Sequence, residues 1–305
     1  MNVSELNARF GAPGRIVFRD GLAGFPCAVL ANRYGTAEVS LMGGNVMSYR
    51  PTGIGEVLYR PSKDITTYAD GASVYGGIPV CWPQFGRRMT RALPGHGFAR
   101  SRLFEVRGTE YSEEKTEITL GLRSDAETLK IWPYEFDLEF KVIVSMKLNL
   151  QLTTKNVGKR AFEFSAGFHP YFRVMDLNHV IVKGLDGLSY IDGRMPEPAL
   201  TKYSGDFKFN PAPDHVFTMP LAPKHELAVI DEKLGRAIAI VSSGNTRTVC
   251  WNCGEKCEPG DMDKGDWVKY VCVEPVTNWP TGDMLEPGAK HELLVAVQAS
   301  LNRGR

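Results

Sequence analysis

The run Phe136-Asp137-Leu138-Glu139-Phe140-Lys141-Val142-Ile143-Val144 puts an apolar side chain at every even position and a polar one at most odd positions. Successive side chains of a β-strand point to opposite faces, so a period of two describes a strand with one buried face. Leu148, Leu150 and Leu152 alternate with Asn149, Gln151 and Thr153 in the same way after a break at Lys147. Upstream, short β-rich runs at 16–18, 28–30, 37–41 and 45–49 are broken by Gly, Pro, Asp and Asn, punctuation that suits hairpins better than helices. Further strands are expected at 103–106, 117–122, 227–230, 237–241, 267–274 and 293–297, and helical periodicity is confined to 4–10 and 126–131. Many strands without intervening helices imply an all-β fold, a large antiparallel β-sandwich.

All-β proteins often spend 200 to 250 residues on one domain, so 305 residues are read as a single domain, 1–305. No repeat, low-complexity tract or linker divides the chain. Residues 196–220, with five prolines, read as a long connection over the surface. A net charge of +1 supplies no global field for nucleic acid or a membrane surface, which leaves a small molecule as the expected partner. Residues 1–15 hold no apolar core of a signal sequence, and no stretch approaches the apolar length of a bilayer span, so a cytoplasmic protein is expected. Six cysteines in a chain of 305 residues are not a disulfide scaffold, and such a compartment keeps them as thiols.

Four stretches carry chemistry. In Phe168-His169-Pro170-Tyr171-Phe172, His169 ends a strand-like run in which Phe162, Phe164, Ala166 and Phe168 share the other parity. It therefore leaves the opposite and wetter face, where an imidazole with an ordinary pKa near 6.5 serves as general acid or base, or simply caps the strand. The stretch from Tyr75 to Gly86, including Trp82, holds three glycines, two prolines and aromatic rings, the makings of a sugar-stacking wall or of a plugged turn. Between Arg87 and Arg102 lie five arginines, Arg88 and Arg100 among them, and His96 between two glycines. This set can bind phosphate or a hydroxyl, or be a solvated loop. Val268, Tyr270, Cys272 and Glu274 share one parity, and a carboxylate ending an apolar strand is costly unless paired, hydrogen-bonded or working. Cys250, Cys253 and Cys257 could bind metal only if the fold brought a fourth ligand, and the neighbouring acidic residues lack calcium-loop spacing. No phosphate loop, dinucleotide fingerprint or nucleophile elbow occurs.

Taken together, Gly76-Gly77-Ile78-Pro79-Val80-Cys81-Trp82-Pro83, His96-Gly97-Phe98-Ala99-Arg100, Phe168-His169-Pro170-Tyr171-Phe172 and Val273-Glu274-Pro275 resemble the aldose 1-epimerase superfamily. Within it the chain is similar to the hexose-6-phosphate mutarotases, or glucose-6-phosphate 1-epimerases, collinearly from about Phe18 to Val297. The resemblance implies a galactose mutarotase-like β-sandwich, His169 and Glu274 as the catalytic pair, and Arg100 and Asp214 as substrate-binding residues. It implies interconversion of the α and β anomers of an aldohexose, expected as the 6-phosphate, without metal or other cofactor. His96 and Asp214 would hold hydroxyls, Trp82 or Phe98 would stack on the sugar, and Arg100 would meet phosphate or a hydroxyl. Two positions depart from the family pattern: Tyr75 stands where arginine is common before Gly-Gly-Ile-Pro, and Gly95 where glutamine is common before His-Gly. The first change removes a fixed positive charge that Arg87, Arg88 or Arg91 would have to replace. An epimerase of unphosphorylated aldoses and a non-catalytic carbohydrate-binding protein are the alternatives.

Overall fold

Alternation at the centre of the chain becomes two nine-residue strands, Phe136–Val144 and Leu148–Asn156, paired antiparallel with buried positions recurring at every second residue. They belong to a computed structural model that describes residues 1–61, 74–86, 93–195, 199–257, 259–279 and 281–301. Among these residues a nine-stranded sheet runs Phe207–Lys208, Val180–Lys183, His225–Asp231, Arg236–Ser243, Lys290–Leu301, Leu148–Asn156, Phe136–Val144, Thr116–Arg123 and Glu105–Tyr111. An eight-stranded sheet runs Thr201–Lys202, Ser189–Asp192, Asp214–Thr218, Arg247–Trp251, Tyr270–Val276, Gly167–Phe168 and Val80–Cys81. Its eighth strand, Tyr171–Arg173, also pairs with Tyr270–Val276. A four-stranded sheet, Ile16–Asp20 to Val46–Pro51, and the pair Phe162–Phe164 with Asp283–Leu285 complete the β-structure, and the ladders are antiparallel.

The large sheets share one core. Phe136, Leu138, Phe140 and Val142 of the nine-stranded sheet cluster with Phe168, Phe172, Phe217, Cys250, Val271 and Val273 of the eight-stranded one. Ile16, Phe18, Ala28 and Leu30 of the four-stranded sheet join the same cluster. In the eight-stranded sheet these inward residues alternate with Cys81, Tyr171, Val216, Val249, Cys272 and Val276, which pack into two smaller clusters on the outer face. A strand covered on both sides loses the polar half of its pattern. Tyr270–Val276 is accordingly buried at all seven positions.

Three expectations need correction. The parity of His169 holds, but its face is not wet: Ser165, Gly167 and His169 are all buried, because aromatic loops cover the outer face. Residues 266–269 form a 3₁₀ turn, and the strand expected from 267 starts at Tyr270. Residues 196–220 are more than a surface connection, since Thr201–Lys202, Phe207–Lys208 and Asp214–Thr218 are strands of the two large sheets. No helix among the described residues is long and apolar enough to cross a membrane.

Candidate active site

On the outer face of the eight-stranded sheet lies a cavity of about 240 Å³, whose lining includes Tyr75, His96, Arg100, His169, Asp214 and Glu274. Strand geometry brings them together. Gly167 sits opposite both Val276 and Cys81, so His169, two residues on, emerges beside Glu274 of the neighbouring strand. The His169 backbone N–H donates to Pro79 O at 3.0 Å and that of Tyr171 donates to Gly77 O at 2.9 Å, locking two of the sequence motifs edge to edge. Gly77 has φ +70°, and a Cβ there would lie 2.6 Å from Val46 O, so the close approach needs glycine.

His169 Nε2 lies 3.5 Å from Glu274 Oε2. The carboxylate is 1 % exposed, and among the described residues neither of its oxygens, nor His169 Nδ1, has a hydrogen-bond partner. The bland reading of Glu274 therefore fails: among the described residues its carboxylate is not held by neighbouring amides. Burial, with Asp214 adding to it, pushes the Glu274 carboxyl well above its ordinary range. Burial also pushes the His169 imidazole well below its ordinary value, with His96 and Arg100 adding to the shift. The His169 ring stacks on Tyr171 at 4.8 Å and meets Trp251 and His96 edge-on at 5.5 Å.

The other walls are fixed from the backbone. His96 has φ +62° between Gly95 and Gly97, and Gly86 N–H donates to its Nδ1 at 3.4 Å, which leaves Nε2 to carry the proton of the neutral ring. Arg100, in the 3₁₀ turn Ala99–Ser101, donates from Nη2 to Gly95 O at 2.7 Å. The backbone of Gly95 thus anchors Arg100 although the side chain usual at that position is absent. Asp214 begins its strand opposite Trp251, and Gly193 leaves room for its carboxylate, since a Cβ there would come within 2.8 Å. The backbone N–H of Tyr75 donates to Asp261 Oδ2 at 2.7 Å, and its ring stands 6.1 Å from that of Tyr171.

Not every expected residue takes part. Trp82 is fully buried in the main core against Phe136, Trp132 and Phe98, at 4.4, 5.1 and 5.6 Å between ring centres, and Phe98 is buried with it. Neither lines the cavity, because Trp82 follows Val80 in inward parity while Cys81 faces out. Arg88 lies outside the described residues, as do Arg87 and Arg91. Cys250, Cys253 and Cys257 do not converge: Cys250 faces the main core, whereas Cys253 and Cys257 follow the strand on a loop. The aromatic surfaces that do reach the cavity are Phe85, Tyr171, Trp251 and Trp279, together with Tyr75. Trp251 shares parity with Val249 across a short strand, a signal masked by the cysteines around it.

Residues 26–298 match the aldose 1-epimerase family. A protein of Escherichia coli K12 named "Putative glucose-6-phosphate 1-epimerase" is 32 % identical over 244 residues, 78 % of each chain. A Cenchrus ciliaris protein of the same name is 31 % identical over 250 residues, 78 % of this chain and 74 % of its own. The crystal structure of a candidate mutarotase from Salmonella typhimurium superposes with a TM-score of 0.85 at 26 % identity, covering 98 % of this chain and 99 % of that one. Galactose 1-epimerase from Lactobacillus acidophilus NCFM shares the fold at a TM-score of 0.72 and 12 % identity, over 95 % of this chain and 99 % of its own. Because the match at residues 26–298 takes in every strand of the sheet that carries the cavity, the chain belongs to the aldose 1-epimerase family, on a galactose mutarotase-like β-sandwich.

Proposed function

We propose that the protein interconverts the α and β anomers of an aldohexose 6-phosphate, with glucose 6-phosphate as substrate, through His169 and Glu274. The observation that carries this is the 3.5 Å contact between two otherwise unpartnered buried groups at the wall of a sugar-sized cavity. Ring opening needs a proton removed from the C1 hydroxyl and one delivered to the ring oxygen, and both oxygens are bonded to the same carbon. A base and an acid in mutual contact reach both. Glu274 accepts the hydroxyl proton while His169 protonates the ring oxygen, the aldehyde rotates about C1–C2, and closure returns both protons by the reverse path. Each well-placed acid or base contributes on the order of 10²–10⁴ in rate.

His96 and Asp214 are placed to hold ring hydroxyls, and Trp251 and Tyr171 to flank the sugar. Arg100 is the cation given to the 6-phosphate, a preference supported by the names of the relatives at 31 % and 32 % identity. Tyr75, an aromatic ring where the family commonly has arginine, favours the second reading, turnover of unphosphorylated aldoses.

One assay addresses both. The anomers of freshly dissolved α-glucose 6-phosphate are followed by polarimetry or exchange NMR, and glucose is run in parallel. Enzyme is expected to accelerate the phosphorylated sugar at least 10-fold more in kcat/KM, and Glu274→Gln to remove about 10²–10⁴ of the acceleration while sugar binding persists. Equal rates on both sugars would support the second reading. An unchanged rate in Glu274→Gln would remove the mechanism.

A further inference from the structure

Cys272 has no part in the chemistry above, yet it lies against both groups that do. It occupies the same face of Tyr270–Val276 as Glu274, and its strand partner is Tyr171, two residues beyond His169. One ligand atom each from His169, Cys272 and Glu274 can be chosen so that all lie within 4.8 Å of one another, and all three residues are buried. We propose that these three side chains form a binding site for a thiophilic divalent cation of the Zn²⁺ type, and that metal and sugar exclude one another.

The geometry and the donor set both favour it. Tetrahedral zinc with bonds of about 2.0–2.3 Å holds its ligand atoms about 3.3–3.8 Å apart. The His169–Glu274 separation of 3.5 Å is already in that range, and the widest separation in the set closes by side-chain rotation of about 1 Å. Imidazole, thiolate and carboxylate together select zinc or cobalt over magnesium or calcium, which prefer oxygen alone. Three protein ligands with an open fourth position are the usual arrangement of an accessible zinc centre, and here the opening faces the cavity. Both Glu274 oxygens have no hydrogen-bond partner among the described residues, so the carboxylate gives up no bond to take the ion. On binding, the Cys272 thiol releases its proton to solvent and the thiolate completes the set. The exclusion of sugar rests on the proposed reaction, since the ion then occupies its acid and its base.

Co²⁺, added to chain freed of metal by a chelator, reports the site without reference to turnover. The expected result is one ion per chain, with tetrahedral visible bands and a thiolate-to-cobalt charge-transfer band. That band persists in a Cys253→Ser/Cys257→Ser double variant, disappears in Cys272→Ala and is displaced by Zn²⁺. Glu274→Gln, which keeps the thiol, is expected to weaken Co²⁺ binding at least 10-fold and covers the case in which Cys272→Ala does not fold. In the anomer assay, equimolar Zn²⁺ is expected to suppress wild-type turnover at least 10-fold and EDTA to restore it. Cys272→Ala keeps wild-type turnover and needs about 100-fold more Zn²⁺ for the same loss. Absence of the band in the wild type, its survival in Cys272→Ala, or full-strength Co²⁺ binding by Glu274→Gln would overturn the site. Zinc binding that leaves turnover intact would overturn the exclusion alone, and failure of the anomer assay in metal-free enzyme would count against the proposed function and leave the cobalt result standing.

Discussion

Two buried titratable groups in contact are best treated as one unit that holds one proton. With Glu274 raised and His169 lowered by burial, the singly protonated pair spans a wide pH range with its proton favoured on Glu274. The proposed step draws on the tautomer in which that proton has moved to His169 across the 3.5 Å contact, leaving one proton to give and one to take. The kcat/KM profile, which reports the free enzyme, is therefore expected to be a broad bell. Its acid limb should lie well below 6.5, where the pair gains a second proton, and its alkaline limb well above 4.5, where the pair loses its only one. An acid limb centred at the ordinary imidazole value would contradict the shifts. The same burial affects stability with a definite sign. A carboxyl whose folded pKa is raised binds its proton more tightly in the native state, so it destabilises the fold as pH rises above its unfolded value near 4.5. Glu274→Gln removes that penalty. Denaturant titrations across pH should show the variant gaining on the wild type by about 1.4 kcal/mol per pH unit between the two pKa values, with no gain in acid. A difference independent of pH would mean the carboxylate is better solvated than its 1 % exposure implies.

At the scale of elements, glycines decide how closely the strands and loops approach. A Cβ on Gly167 would lie 2.7 Å from Phe85, the ring that meets His96 edge-on at 4.9 Å. Gly167→Ala should thus push Phe85 into the cavity and raise KM about 10-fold or more while the protein still melts cooperatively, a result that steady-state kinetics and calorimetry together would show. Gly97→Ala is the harsher change. With φ +72° and a Cβ that would meet Trp82 O at 2.1 Å, it forces backbone apart and should destabilise the fold by more than about 1 kcal/mol while misplacing His96. Tolerance of Gly97→Ala in a thermal melt would show that the His96 loop relaxes. Gly97 lies inside the His96–Arg100 motif and Gly167 just before the Phe168–Phe172 motif, and short motifs of this kind make His169, Glu274, His96 and Arg100 legible from the chain alone. Trp82 misleads because composition does not tell which face of a two-residue strand a ring takes. Trp251 and Trp279 escape notice for the same reason, since loops and a five-residue strand are too short to display a period.

For the whole molecule, long strands of the nine-stranded sheet announce themselves because one side meets solvent and the polar half of the alternation survives. The eight-stranded sheet is assembled from pieces as short as two residues, its central strands are covered on both sides, and its strands at 201–202 and 214–218 hide among prolines. Two tryptophans separate the roles of its faces. Trp82→Ala should cost about 3–5 kcal/mol in a denaturant titration, with the KM of the surviving fold close to that of the wild type. Trp251→Ala should cost little stability and raise KM about 10-fold, by removing a ring that flanks the sugar. Loss of stability from the second and not the first would invert the assignment of the two faces. Along Tyr270–Val276, then, neighbours in the chain answer to different masters: Val271 and Val273 to the interior, Tyr270 and Cys272 to the buried aromatic layer on the outer face, and Glu274 to whatever occupies the hollow above. A lineage can retune its choice of sugar by drifting at the walls opposite this strand, while Glu274 keeps the reaction and the odd-numbered sites keep the barrier between native and denatured chain where it was.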